Sequence, residues 1–181
     1  VPRVVVTQPR RIAVRAAARR LATLSGGRVG GVVGYTVRGE RHVGPATRVE
    51  FCTPGVLLRR LLADPELPGV GAVVLDEVHE RGLETDLLVG MLAQVRELRG
   101  DLGLVAMSAT LDADRFAALL GGAQPAPIVA STGVLHPVSV RWAPAAAARF
   151  DARGVSRDFL HHVAQVTVET TRPAVVVPAA A

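Results

Sequence analysis

The chain has 181 residues, 49% apolar and 20% charged, enough for one ordinary domain with a sizeable core and the start of a second. A single cysteine, Cys52, excludes an internal disulfide framework and a cysteine-based zinc site, and no apolar stretch approaches the roughly 20 residues that span a bilayer, so a soluble cytoplasmic protein with no membrane partner is expected. All 21 basic residues are arginine, with a net charge of +10 over residues 1–60 and −5 over 61–181. The basic front third is either a surface for a polyanion or a solvated arginine face, and the absence of lysine removes any P-loop, Schiff base or lysine general base from these residues.

Val4–Val6 reads as a buried strand, and a chain that opens at Val1 beside such a strand suggests a truncated piece. Residues 11–24 follow as a helix, with Val14, Ala17, Ala18 and Leu21 on one face and Arg11, Arg15 and Arg19 striping another. Gly26, Gly27, Gly30, Gly31 and Gly34 mark a loop enclosing a short Val-Val segment. Arg48–Phe51 alternates as a short strand, and Pro54-Gly55 opens a helix through Leu62 that Pro65 and Pro68 end. Ala72–Leu75 is a compact apolar run suited to a central parallel strand. The next helix takes Leu83, Leu87, Leu88, Met91, Leu92 and Val95 as its buried face; Leu104–Met107 is a strand and Asp114–Leu120 a short helix. This alternation predicts an α/β doubly wound parallel sheet. From about Ser131 the texture changes: Pro137–Trp142 reads as a strand leaving the domain, 144–154 as a linker, Ser156 as the N-cap of a helix to about Thr170, and Ala174–Val177 as a new strand.

The strongest chemical signal is Val73-Val-Leu-Asp-Glu-Val-His-Glu-Arg81. Open α/β sheets bind ligands outside the carboxyl ends of their strands, and an acidic pair sits there. Asp76 is placed to hold a phosphate-bound Mg²⁺ through a coordinated water, and Glu77 to polarise the water that attacks the γ-phosphate. The competing reading is a pair of acids favoured by a helix macrodipole. His42, His136, His161 and His162 read as structural, and Glu77, His79 and Glu80 lack a second histidine at zinc-protease spacing.

Asp76-Glu-Val-His-Glu-Arg81 resembles motif II of the DEAH-box RNA helicases, with Val78 where a small or apolar residue is usual. The resemblance implies that Asp76 binds Mg²⁺, that Glu77 is the catalytic base, and that His79 links the nucleotide site to a second helicase domain. Thr7-Gln-Pro-Arg-Arg11 looks like motif Ia, with Arg10 and Arg11 on the RNA backbone, where guanidinium forks beside a helix N-terminus suit phosphate. Gly34–Arg38 and Val43–Arg48 match the family's glycine–tyrosine segment and the stretch after it. Thr53-Pro-Gly55 resembles motif Ib, with Pro54 in place of the usual acidic or polar residue, and Ser108-Ala-Thr110 resembles motif III. Asp64–Gly71 and Ser108–Asp112 look most like the bacterial HrpB-type branch, and the resemblance covers roughly residues 3–142.

On that resemblance the expected fold is a RecA-like P-loop NTPase three-layer sandwich truncated at both ends: an ATP-binding first RecA-like domain over 1–132, an exit strand and linker over 133–155, and the onset of a second RecA-like domain over 156–181. The Gly-x-x-x-x-Gly-Lys-Ser/Thr loop is expected just before Val1. The ligands are ATP or another NTP with Mg²⁺. The macromolecular partner is RNA, single-stranded or a duplex with an overhang, bound without base specificity. Asp76, Glu77, Ser108 and Thr110 would face the nucleotide; Thr7, Gln8, Pro9, Arg10, Arg11, Thr53 and Gly55 would face RNA. The 181-residue chain alone is expected neither to hydrolyse ATP nor to unwind duplexes. The alternative is a catalytically dead remnant, at most a nucleic-acid-binding module.

Overall fold

The computed structural model describes residues 2–109, 113–122, 124–131, 140–146 and 148–171. Residues up to about 130 form one compact unit and those from 131 a second. In the first unit, β1 (Arg3–Thr7) leads to α1 (Arg11–Leu24), β2 (Val33–Val37), β3 (Glu40–His42), β4 (Val49–Cys52) and α2 (Pro54–Ala63). Then come β5 (Val70–Leu75), a single 3₁₀ turn (Val78–Glu80), α3 (Leu83–Leu98), β6 (Gly103–Ala106) and α4 (Ala113–Gly121). The sheet order is β3-β2-β4-β1-β5-β6, and every pairing is parallel except β2 with β3.

Helices pack on both faces of the sheet, so the inner strands β1 and β5 read as apolar runs rather than as alternations. On one face Val14, Ala18 and Ala22 of α1 pack on Val33, Tyr35, Val37 and Phe51. On the other, Val5, Cys52, Val73 and Leu75 meet Leu57 and Leu61 of α2, Leu88 and Leu92 of α3 and Leu120 of α4. Each such leucine is worth about 2 kcal/mol of apolar burial, which outweighs the weak intrinsic preferences of these short segments. The result is the expected three-layer α/β sandwich of RecA-like type. Burial holds the Cys52 thiol neutral, its pKa pushed up to about 12.

The glycine-rich stretch departs from the expected loop. Val33, Tyr35 and Val37 alternate inward as a strand, and Gly39, at φ 82°, makes the turn into antiparallel β3. Gly34 is required by close approach, because a Cβ there would lie 2.5 Å from the His42 carbonyl oxygen. The α3 face also differs: Leu83 and Leu87 are exposed, and Thr85, Leu88, Val89, Leu92 and Val95 are buried.

In the second unit, β7 (Phe150–Asp151) pairs antiparallel with β8 (Gly154–Val155) inside the stretch read as a linker. α5 (Arg157–Thr171) starts where the sequence places it, and Ser156 Oγ accepts the Phe159 N–H at 3.2 Å, as an N-cap does. Val140–Trp142 carries no strand; the remainder of the expected exit strand and the segment Ala174–Val177 lie outside the described residues.

Candidate functional site

Parallel register gathers the separate motifs at one edge. Thr7 pairs with Cys52 on one side and Leu75 on the other, and Leu75 pairs with Ala106, so one row of residues ends four strands together. The segments immediately beyond that row are Gln8–Arg11, Thr53–Gly55, Asp76–Arg81 and Met107–Ala109. All four therefore emerge at the carboxyl edge of the sheet, where doubly wound folds bind ligands.

Asp76 is fixed on three sides. Its N–H donates to the Thr7 carbonyl at 3.3 Å, its Oδ1 accepts the Glu77 N–H at 2.8 Å, and its Oδ2 accepts from Gln8 Nε2. Glu77 occupies the left-handed region at φ 56°, ψ 38°, which costs a non-glycine residue on the order of 1–3 kcal/mol and occurs preferentially at functional sites. Bonds on both flanks hold it there: Val78 N–H donates to the Met107 carbonyl at 3.2 Å, and Glu80 N–H to the Glu77 carbonyl at 3.0 Å. Val78 is buried in the core beneath, which explains why an apolar residue stands between the two acids and the histidine.

His79 joins the acid pair to the loop after β6. Its Nδ1 accepts the Ala109 N–H at 3.2 Å, and its Nε2 lies 3.3 Å from Glu77 Oε2. An Nδ1 that accepts leaves Nε2 as the protonated nitrogen, so Nε2–H faces the Glu77 carboxylate. Arg81 turns away onto Asp86 at the start of α3, with Nη2–Oδ2 at 3.0 Å. Ser108 is exposed on the same loop, and Thr110 lies outside the described residues.

The segments assigned to RNA divide. Arg10 and Arg11 are exposed at the start of α1, a helix without acidic residues in its first turn and without a side-chain cap. Arg10 Nη2 pairs with Glu80 Oε1 at 3.1 Å, and Arg11 Nη2 donates to the Arg38 carbonyl. Pro9 is half-buried, and Gln8 is turned onto Asp76. Thr7 departs from the expectation. Its side chain is fully buried on the inner face with Val5, its hydroxyl has no hydrogen-bond partner, and it offers nothing to a surface ligand. Thr53 occupies the N-cap position of α2, and Pro54 takes the first helical position, where a missing N–H costs nothing. Gly55 is the second residue of α2, and a Cβ there would meet only the carboxylate end of the exposed Glu84 side chain, which can move aside.

Two buried or half-buried carboxylates brace the sheet against its neighbouring elements, and sequence reading missed both. Glu50 is fully buried and accepts from Arg3 at 2.9 Å, from Thr36 at 2.6 Å and from Arg60. Burial pushes its pKa up, but the hydrogen bonds from Arg60 and Thr36 and the Arg60 charge outweigh that and leave it below the usual carboxylate range. Glu40 accepts from the Tyr35 hydroxyl and from two Arg15 nitrogens at 2.9 and 2.6 Å, which pins the β2–β3 hairpin to α1. The Tyr35 and Arg15 hydrogen bonds lower its pKa to about 2. The His42 ring lies tilted against Tyr35 with centroids 5.0 Å apart, and His162 bonds the Ala143 carbonyl at 2.9 Å.

The donor set suits a hard divalent cation. Asp76 carries a carboxylate at the strand end, the hard oxygen donor of which Mg²⁺ takes one or two beside waters and substrate phosphates. No group of three His, Cys, Asp or Glu side chains able to hold a metal ion exists among the described residues. No described helix is long and apolar enough to cross a membrane.

A parallel sheet between two helical layers, with paired acids leaving the end of an inner strand, defines the chain as a RecA-like domain of the P-loop NTPase class. No protein-family model matches it. It is 48% identical over 151 residues to the ATP-dependent RNA helicase HrpB of Escherichia coli K12, a match covering 82% of this chain and 18% of that protein. It is 47% identical over 135 residues to the DExH-box ATP-dependent RNA helicase DExH3 of Arabidopsis thaliana, covering 75% of this chain and 11% of the relative. The crystal structure of the Escherichia coli DEAH/RHA helicase HrpB superposes with a TM-score of 0.78 at 44% identity, over 94% of this chain and 21% of that one. The chain belongs to the DEAH-box RNA helicase family and is of the HrpB type. It spans about a fifth of HrpB or less.

Proposed function

We propose that this chain supplies the catalytic acids and an RNA-backbone face to an NTP-driven RNA helicase, whose hydrolysis drives translocation on or unwinding of RNA. Asp76 would hold the Mg²⁺ of a bound nucleoside triphosphate, an ion that neutralises charge on the phosphoryl group being transferred. Glu77 orients the attacking water and accepts its proton. His79 holds the Glu77 carboxylate through Nε2–H while the Ala109 N–H holds its other nitrogen. The loop carrying Ser108 and Thr110 is thereby tied to the position of the base. Arg10 and Arg11 contact RNA phosphates, with Gln8 and Pro9 shaping the turn and Thr53 and Gly55 opening the second backbone-contacting helix. Phosphate contacts position a strand without reading bases, so binding has no base specificity. A second RecA-like domain is the structural partner, begun by residues 156–181. Alone, the chain is inactive in hydrolysis, because it contains no lysine to serve a phosphate loop.

The observation that carries this reading is the Glu77–His79–Ala109 chain of contacts beside a fixed Asp76. The test is a chimera in which residues 3–142 replace the corresponding segment of Escherichia coli HrpB. RNA-stimulated NTP hydrolysis by the chimera is the expected result. A folded chimera that binds RNA and never turns over NTP overturns the proposal and favours a non-catalytic remnant.

A further inference from the structure

Glu80 has no part in the chemistry assigned to Asp76 and Glu77, yet it makes a specific contact across 70 residues of sequence with Arg10. The Arg10 side chain is 77% exposed and that of Glu80 37%, so the pair lies at the rim of the carboxyl edge. Arg10 also occupies the N-cap position of α1, where the helix brings neither an acid nor a side-chain cap of its own. An anion is favoured there by the helix end and the guanidinium together. The anion on that guanidinium is the carboxylate of Glu80. Carboxylate and phosphodiester are alternative ligands for one guanidinium fork.

We propose that Glu80 is an intramolecular competitor for RNA phosphate at Arg10. Without RNA, Arg10 is held on the acid motif; when a single strand binds, Arg10 transfers to a backbone phosphate and Glu80 loses its cation. The inference rests on the reading of the Thr7–Arg11 segment as an RNA face. Arg11 provides the internal contrast, because its partner is the neutral Arg38 carbonyl, and engaging a phosphate there breaks no ion pair. Adjacent arginines on one turn therefore respond differently to the charge at position 80.

The test is fluorescence anisotropy of a labelled twelve-nucleotide oligouridylate with the 181-residue chain at low salt, far-UV circular dichroism verifying that each variant is folded. Exposed ion pairs are weak, so Glu80→Gln should tighten binding by about two- to fivefold. The gain should vanish in an Arg10→Gln background and persist in an Arg11→Gln background. No tightening, or an equal gain with Arg10→Gln, overturns the proposal, since the latter is only the effect of one fewer negative charge. Wild-type binding that is absent or insensitive to salt overturns the RNA-face reading and this proposal with it. Salt-sensitive wild-type binding without the Arg10-specific gain overturns this proposal alone.

Discussion

Replacing Glu50 with glutamine tests whether one buried carboxylate ties β4 to β1, β2 and α2. Glu50 on β4 accepts from Arg3 of β1, Thr36 of β2 and Arg60 of α2, so a single side chain joins three elements to a fourth. Glutamine keeps the shape and an acceptor for Thr36 but loses the charge. Two charge-assisted hydrogen bonds at about 1.5–3 kcal/mol each set the gross loss at about 3–6 kcal/mol. The Arg3 and Arg60 side chains are 28% and 32% exposed, so water recovers part of their solvation. Discounting by about half gives an expected loss of about 1.5–3 kcal/mol, under the range for breaking a fully buried pair. Urea unfolding should show a lower midpoint with an unchanged slope. The folded-state pKa of Glu50 lies below its ordinary value of 4.5, so its contribution is complete above that pH and is lost as pH falls below it. The variant should therefore lose part of the wild-type fall in stability on the acid side. A loss under about 0.5 kcal/mol, the size of an ordinary surface substitution, would refute the reasoning.

The β2–β3 hairpin should stay pinned to α1 far into acid. Glu40 has its pKa lowered to about 2, so the pin persists as pH falls through 4.5 and is released only toward 2; the ring resonances of Tyr35 report it, and a midpoint near 4.5 would contradict the geometry. Gly34→Ala should destabilise by about 1–3 kcal/mol, because its Cβ would collide with backbone rather than a side-chain end; thermal unfolding measures it, and an unchanged midpoint would count against the close approach. Thr7→Val removes a buried hydroxyl without a partner and should stabilise by about 1 kcal/mol with oligouridylate affinity unchanged; a loss of affinity would return Thr7 to the RNA face.

The strand–helix alternation was legible because each strand is a short apolar run and each helix carries its own stripe, so element positions agree closely along the first unit. What the sequence obscured was long-range. Tyr35, Thr36 and Val37 followed five glycines, and pairing with Phe51 and Cys52 on one side and Glu40–His42 on the other makes them a strand. Leu83 and Leu87 look like core residues until Val89 and Thr85 take the buried stripe. Asp76, Glu77 and His79 could be singled out from their spacing. The partners that fix them, Gln8 and Ala109, are 68 and 30 residues away, in segments whose resemblance did not say that they would meet the acid motif. Glu50 reads as one residue of an alternating strand, and its burial depends on arginines from two other elements. Thr7 was placed on the RNA face through the resemblance of its whole segment to motif Ia, which does not separate the last buried residue of β1 from the exposed turn after it.

The central claim is that Glu77 serves the attacking water, and substitution of that one residue tests it most directly. In the HrpB chimera, Glu77→Gln should leave affinities for oligouridylate and for a fluorescent NTP analogue unchanged while lowering single-turnover hydrolysis by roughly 10²–10⁴-fold, the range for loss of a general base. Hydrolysis at the parent rate, with both ligands bound, would contradict the account.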